Sequence, residues 1–288
     1  MDAAPPTLAQ RLGYEPDARL LIVNCDDFGS SQGANAAILR AFDAGVATSA
    51  TLMVPCPWAR DAVRQAVAAG RDVGVHLTLT CEYPGYRWRA LTGARSLHDA
   101  EGFMPTTIAH VFERADPIEA FNELKAQIET AIDWDLDPTH LDSHMGSVQL
   151  DSKLFDIYLG LAEEFDLPLR MPGKSQDARL GFEGRFRAAE RGLLHTDNFI
   201  SPWPRDTREI MADRIPGLLP GVSEIYAHPV DDGPELRAYD PDHPGIRAND
   251  AVVFSDPATV KLMDDAAVTR ISYRPLRDLQ RAERAMAD

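Results

Sequence analysis

From residue 20 onward, short runs rich in aliphatic and β-branched residues alternate with longer stretches of helical periodicity, and this alternation limits the fold more than any other feature. Strand patterns fall at 20–25, 47–54, 73–79, 139–144, 167–171, 222–227 and 270–273. Helical patterns fall at 33–44, 57–69, 117–133, 151–165, 184–191, 206–215, 257–265 and 275–286. Asp116-Pro117 and Asp256-Pro257 each set an N-cap before a proline at the first helical position, and Asp151 caps a third helix. Gly45 and Gly70 stand where a left-handed C-cap is wanted. Strands that alternate with helices pair in parallel through right-handed crossovers. About seven strands fit either a doubly wound sheet or a (β/α) barrel. Two stretches without strong periodicity, 80–107 and 172–183, follow strand patterns and are expected to shape a binding site.

Composition removes several classes of function. The chain carries 29 basic and 45 acidic residues, a formal charge of −16, which repels a nucleic-acid backbone or an anionic membrane. Its longest apolar runs are strand-sized, so no transmembrane segment is expected. The first twenty residues lack the basic and apolar regions of a signal peptide. Cys25, Cys56 and Cys81 are odd in number and widely spaced, which fits neither a disulfide framework nor a zinc knuckle; a cytoplasmic location is expected.

Active sites of parallel α/β folds lie at the C-terminal ends of strands. Asp26 and Asp27 stand at such an end, after the apolar run LLIVNC. His76 lies inside VGVHLTLT, where burial would require a partner. In PTHLDSHMGS, His140, Asp142 and His144 recur with period two, so a strand turns all three to one face. His228 ends a strand just before Pro229, which stops the ladder. A divalent cation would offset the repulsion between the two aspartates and give buried imidazoles a partner. Mixed His and carboxylate ligation suits zinc, and also manganese, cobalt or iron. Neighbouring aspartates on an extended chain point in opposite directions, so one would bind the ion and the other would stay free to take a proton. In 80–107, Tyr83, Tyr86, Trp88 and Phe103 form either a platform for sugar rings or a satellite core under the loop. Arg170 either meets a polar ligand group or holds a nearby carboxylate.

The ordered set LIVNCDDFG, TSATLMVP, VGVHLTLT, PTHLDSHMGS, LPLR and EIYAHPV resembles the YdjC/ChbG carbohydrate deacetylases. SHMG and the ending YRPLRDLQR are similar to the hopanoid-associated, HpnK-like branch. The resemblance covers residues 20–281 and implies a single catalytic domain over 1–288, with 1–19 as an N-terminal extension. It implies an α/β fold, a distorted TIM-like (β/α) barrel, holding one divalent metal ion: zinc, with magnesium, manganese or cobalt as alternatives. Asp27, His76 and His144 match the family's metal ligands, Asp26 its general base and His228 its general acid. His140, Asp142, Arg170, Tyr86 and Trp88 would then support the ligands or meet the substrate. The implied substrate is an N-acetylated sugar or glycolipid, and a homo-oligomer is allowed. Many relatives carry His-x-His after the serine, whereas this chain reads His144-Met145-Gly146, which implies a different substrate contact from that of chitooligosaccharide enzymes. The rival readings are a metal-dependent hydrolase or isomerase of another small molecule, and a non-catalytic sugar-binding barrel.

Overall fold

The computed structural model describes residues 5–287. Seven parallel strands are present: β1 (Arg19–Phe28), β2 (Ser49–Leu52), β3 (Val73–Leu77), β4 (Leu141–Ser143), β5 (Asn198–Ile200), β6 (Gly221–Ala227) and β7 (Thr269–Arg270). The ladder runs β4-β3-β2-β1-β6-β5. Its two ends meet through single parallel bridges from Leu141 to Leu169 and from Leu169 to His195, just before β5. The result is a distorted (β/α) barrel whose seam is only one residue deep, with Arg170 N–H donating to the Leu141 carbonyl at 2.9 Å. β7 pairs Leu20 and Leu21 on the edge of β1 that β2 occupies higher up, from Asn24 on.

Several expected elements differ in extent. The 139–144 strand shortens to Leu141–Ser143, because Met145 (φ 54°) and Gly146 (φ 69°) turn the chain into a 3-10 segment. The 167–171 strand reduces to the bridge at Leu169, and β5, too short and too polar in context to stand out, was not expected. Helices Ile108–Arg114, Pro234–Tyr239 and Pro244–Phe254 were also not expected, and the last becomes important below. The caps form as expected: Asp116 accepts from the N–H groups of Ile118 and Glu119, and Asp151 from those of Lys153 and Leu154, each worth about 1 kcal/mol.

Strand alternation sorts β1 into two environments. Leu21, Val23 and Cys25 pack outward into the layer between sheet and helices. Leu20 and Ile22 pack with Val222, Tyr273 and Leu276 in a separate cluster that plugs the bottom of the barrel. Leu8 and Ala9, from the short N-terminal helix Leu8–Arg11, join that plug. Asn24 and Asp26 follow Leu20 and Ile22 on the inward face, one and two layers higher. The barrel interior is therefore apolar at its N-terminal end and polar at its C-terminal end.

Candidate active site

β1 delivers both aspartates to the same side. Asp26 points inward by alternation, with its Oδ1 accepting from the Asn24 side-chain amide at 2.8 Å. Asp27 should point outward, but its φ is 63° and the β1–β2 register shifts between Cys25 and Phe28. This left-handed residue, at a cost of about 1–2 kcal/mol, turns the second carboxylate inward as well. The expectation that the two side chains diverge is thus corrected by backbone conformation.

Asp27 Oδ1 lies 3.4 Å from His76 Nε2 and 3.2 Å from His144 Nδ1. All three residues are buried, and Asp27 Oδ1 has no hydrogen-bond partner. An unpartnered buried carboxylate oxygen facing two imidazole nitrogens is a donor set that fits a divalent cation. Each imidazole is held on its other nitrogen. Asp142 Oδ1 sits 2.6 Å from His76 Nδ1, and Glu82 Oε2 sits 2.8 Å from His144 Nε2, the pattern that orients metal-binding histidines. Burial alone would lower both histidines. Asp142, Asp27 and Asp26 outweigh it for His76, which rises to about 10, and Glu82 and Asp27 raise His144 to about 9. The same carboxylates that raise these histidines would favour a cation between them. Asp26, His76 and Asp142 form a second cluster, but its two carboxylates are already neutralised by an arginine.

That arginine is Arg170. It grips Asp26 with two bonds of 2.7 and 2.8 Å, reaches Asp142 Oδ2 at 2.8 Å, and donates through Nε to Glu224 Oε1 at 2.7 Å. Of its two expected roles, holding a carboxylate is the one seen. Burial would raise Asp26, yet Arg170, His76 and His228 outweigh it and hold the acid below its ordinary value. Glu224, which also accepts from the Tyr273 hydroxyl, is pushed up to about 7 by burial. His140 lies lower in the barrel, with its ring stacked on Tyr273 at 3.7 Å. It fits there because β3 carries Gly74, where a Cβ would come within 2.4 Å of the His140 ring. Burial holds His140 well below its usual value, and its Nε2 has no partner. The period-two face of β4 therefore spans three levels: His140 beneath, Asp142 behind a candidate ligand, and His144 at the top.

His228 closes the other wall. Its backbone N–H donates to Asp250 at 2.9 Å, its ring packs against Trp203 at 4.7 Å, and its buried Nδ1 has no partner. Burial lowers it to about 4, so it is neutral at pH 7.

A cavity of about 530 Å³ opens over these groups at the C-terminal end of the strands. Glu82, Tyr83 and Pro84 from the 80–107 loop line it, as do Pro172 and Gln176 from the second irregular stretch. Tyr86 and Trp88 do not. The Tyr86 hydroxyl donates to the Ser30 carbonyl and Trp88 Nε1 to the Thr80 carbonyl, and both pack with Met104, Leu236 and Tyr239. They build a satellite core instead of a sugar platform, and Trp88 also sits edge-on to His144 at 6.2 Å. Besides Tyr83, the aromatic side chains Phe199, Trp203 and Tyr226 line the cavity, and these come from β5, the loop after it and β6. Glu82 and Arg247 were not anticipated either. Arg247 Nη1 donates to Asp27 Oδ2 at 2.7 Å and Nε to Asp240 Oδ2 at 2.7 Å. An arginine four residues into a short helix has no distinguishing sequence signal, although the DPDHPG turn before it marks the helix start. At position 146 the left-handed backbone, and a Cβ contact of 3.0 Å to Leu150, disfavour a histidine.

Comparison with known proteins gives one consistent result. Residues 20–265 match the family model described as YdjC-like protein. A carbohydrate deacetylase of Thermus thermophilus is 32% identical over 278 residues, covering 94% of this chain and 98% of that protein. A carbohydrate deacetylase of Geobacillus stearothermophilus is 36% identical over 259 residues, covering 89% and 97%. A crystal structure from Enterococcus faecalis V583, of a protein named for cellobiose-phosphate cleavage, superposes with a TM-score of 0.78 at 22% identity, over 90% of this chain and 99% of that one. That last likeness is one of fold.

Proposed function

Because the chain belongs to the YdjC-like protein family, we propose that it is a carbohydrate deacetylase that hydrolyses an N-acetyl group on a sugar or glycolipid, giving acetate and an amino sugar. The observation that carries this reading is the unpartnered Asp27 Oδ1 between His76 Nε2 and His144 Nδ1, beside Asp26 and His228 in one cavity. Asp27, His76 and His144 would hold a divalent ion, zinc or in its place magnesium, manganese or cobalt, which would polarise the acetamide carbonyl and lower the pKa of water.

The chain's own groups supply the proton transfers. Asp26 is held below its ordinary pKa, so it enters the reaction ionised and able to accept a proton from water. Arg170 grips both of its oxygens, which fixes the carboxylate plane. His228 starts neutral. Once it has taken up the proton that Asp26 removes from water, its low pKa makes it a strong donor, and its ring, which lines the cavity, would give that proton to the leaving amine. The ring of Trp203 covers one edge of His228 and limits water there. Hydroxyl-rich substrates fit the mixture of carboxylates and aromatic faces in the cavity, and the absence of an uncommitted basic cluster argues against a multiply phosphorylated one among the described residues.

The test is acetate release from a panel of N-acetylated saccharides and glycolipids, with zinc, cobalt, manganese or magnesium added in turn. Ion-dependent release from at least one substrate is expected. No release from any member, with an ion demonstrably bound, would overturn the deacetylase reading.

A further inference from the structure

Arg247 is a buried cation of the cavity wall to which the chemistry above gives no task. Helix Pro244–Phe254 delivers it, and the guanidinium packs 5.1 Å from the Trp203 ring centroid and 5.9 Å from that of Tyr83. Its Nε is committed to Asp240 and its Nη1 to Asp27 Oδ2. Among the described residues its Nη2 meets no acceptor, and this nitrogen is not one of the atoms sealed in the interior without a partner. It therefore opens on the cavity. Arg170 differs: its Nε, Nη1 and Nη2 all end on carboxylates.

This open N–H stands in an acidic wall, with Asp26, Glu82, Asp240 and Asp242 around the same cavity. It also stands beside Asp27, to which its own Nη1 is bonded. A carbonyl oxygen brought next to Asp27 gains negative charge as water adds to its carbon, and the acetate that leaves is an anion. A fixed donor aimed at developing charge in a water-poor site is worth more in the transition state than in the ground state. We propose that Arg247 is a catalytic residue whose Nη2 donates to the acyl oxygen of the N-acetyl group and then to the acetate product. This rests on the deacetylase reading for its substrate, but the anion contact can be measured apart from turnover. The bonds to Asp240 and Asp27 and the Trp203 ring beside it hold the guanidinium, so the donor costs little reorganisation when charge appears.

The experiment uses zinc-loaded protein and sodium acetate as the probe. In Arg247→Met, zinc content is measured by elemental analysis, acetate affinity by calorimetry, and kcat and KM on an N-acetyl sugar that the unaltered protein turns over. Zinc content should stay the same, kcat should fall roughly 100-fold or more with KM changed by less than about threefold, and acetate should bind about tenfold more weakly. Arg247→Met leaves Asp240 without its cation, so the double variant with Asp240→Asn is measured alongside and should show the same losses. Arg247→Lys keeps the charge without the fork and should recover part of the acetate affinity. Unchanged acetate affinity, or a fall in kcat that matches a loss of zinc, would overturn the proposal and leave Arg247 as a support for Asp27. If the unaltered protein releases acetate from no substrate, the deacetylase reading fails, and the acetate titration still decides the anion contact.

Discussion

The same strands build two different materials inside the barrel. At the bottom, Leu20, Ile22, Val222, Tyr273 and Leu276 close the interior with apolar contacts, and each fully buried aliphatic side chain contributes about 1.5–3 kcal/mol. Above them, on the same inward faces, stand Asn24, Asp26, Thr51, His76, Asp142 and Arg170, with Glu224 level with Ile22 beneath Arg170, all buried and most of them ionisable. Burying so many charges costs several kcal/mol per ion before pairing. Arg170 offsets much of that by serving Asp26, Asp142 and Glu224 at once. The upper layer is thus tolerated because the lower layer and the outer shell hold the barrel together, and because nearly every charge above has a partner. Among the described residues, Asp27 Oδ1, His228 Nδ1 and Asp250 Oδ1 are exceptions at this end of the barrel. Asp27 Oδ1 is also the atom that the proposed ion site needs.

The largest effects should come from separating the two aspartates. Asp26→Asn should keep the bound ion and lose turnover by about a thousandfold, within the range for removing a positioned base. Asp27→Asn should lose the ion itself. Elemental analysis beside acetate-release kinetics distinguishes the two. If both variants turn over at the unaltered rate, the assignment of roles at the end of β1 is wrong.

Next in size is Arg170→Met. It strands three buried acids, and removing one partner of a buried ion pair costs about 3–5 kcal/mol. Urea denaturation of the ion-free protein should show a loss of that order. A loss under about 1 kcal/mol, the size expected for an exposed pair, would mean that the upper layer is wet and that its charges do not depend on Arg170.

Leu276→Ala probes the lower material. Leu276 is fully buried in the bottom cluster, and such a truncation costs about 3 kcal/mol through lost contacts and a cavity. At a temperature where the variant is folded, kcat should stay within about twofold, because Leu276 is not among the residues that line the cavity. A large fall in kcat with stability preserved would break the division between a stabilising bottom and a reactive top.

What was legible in the sequence follows the same division. DDFG, GVHL and HLDSH stand out because strand periodicity fixes the direction of a side chain and strand ends fix its level. That is how His76 and His144 could be assigned to one pocket from residues 68 positions apart. Glu82, Arg247 and Trp203 could not be found this way. They come from loops and a short helix, where no period ties sequence position to direction. For Asp27 the strand end gives the level and the resemblance of DDFG points to the ligand, but alternation alone would send it outward, and only its positive φ brings it back. The aromatic run in 80–107 was equally ambiguous, since a buried indole that donates to a backbone carbonyl and a sugar-facing indole have the same local sequence.

The smallest effect concerns an acid of the upper end that no arginine grips. Asp250 accepts the His228 N–H and is pushed up to about 6 by burial, with Arg247 and Asp206 as the other charges that act on it. An acid raised in the folded state binds a proton there that the unfolded chain, near 3.8, has already released. Stability must then fall as pH rises from about 4 to about 6, and level off above that. Asp250→Asn keeps an oxygen for the His228 N–H and removes the charge, so its stability should lose this slope. Relative to the unaltered protein it should gain on the order of 2 kcal/mol between pH 4 and pH 7. Urea denaturation of the ion-free proteins at the two pH values measures the difference. Parallel pH profiles would mean that Asp250 titrates as an ordinary carboxylate, so that water reaches the back of His228 and the upper end is less dry than its burial implies.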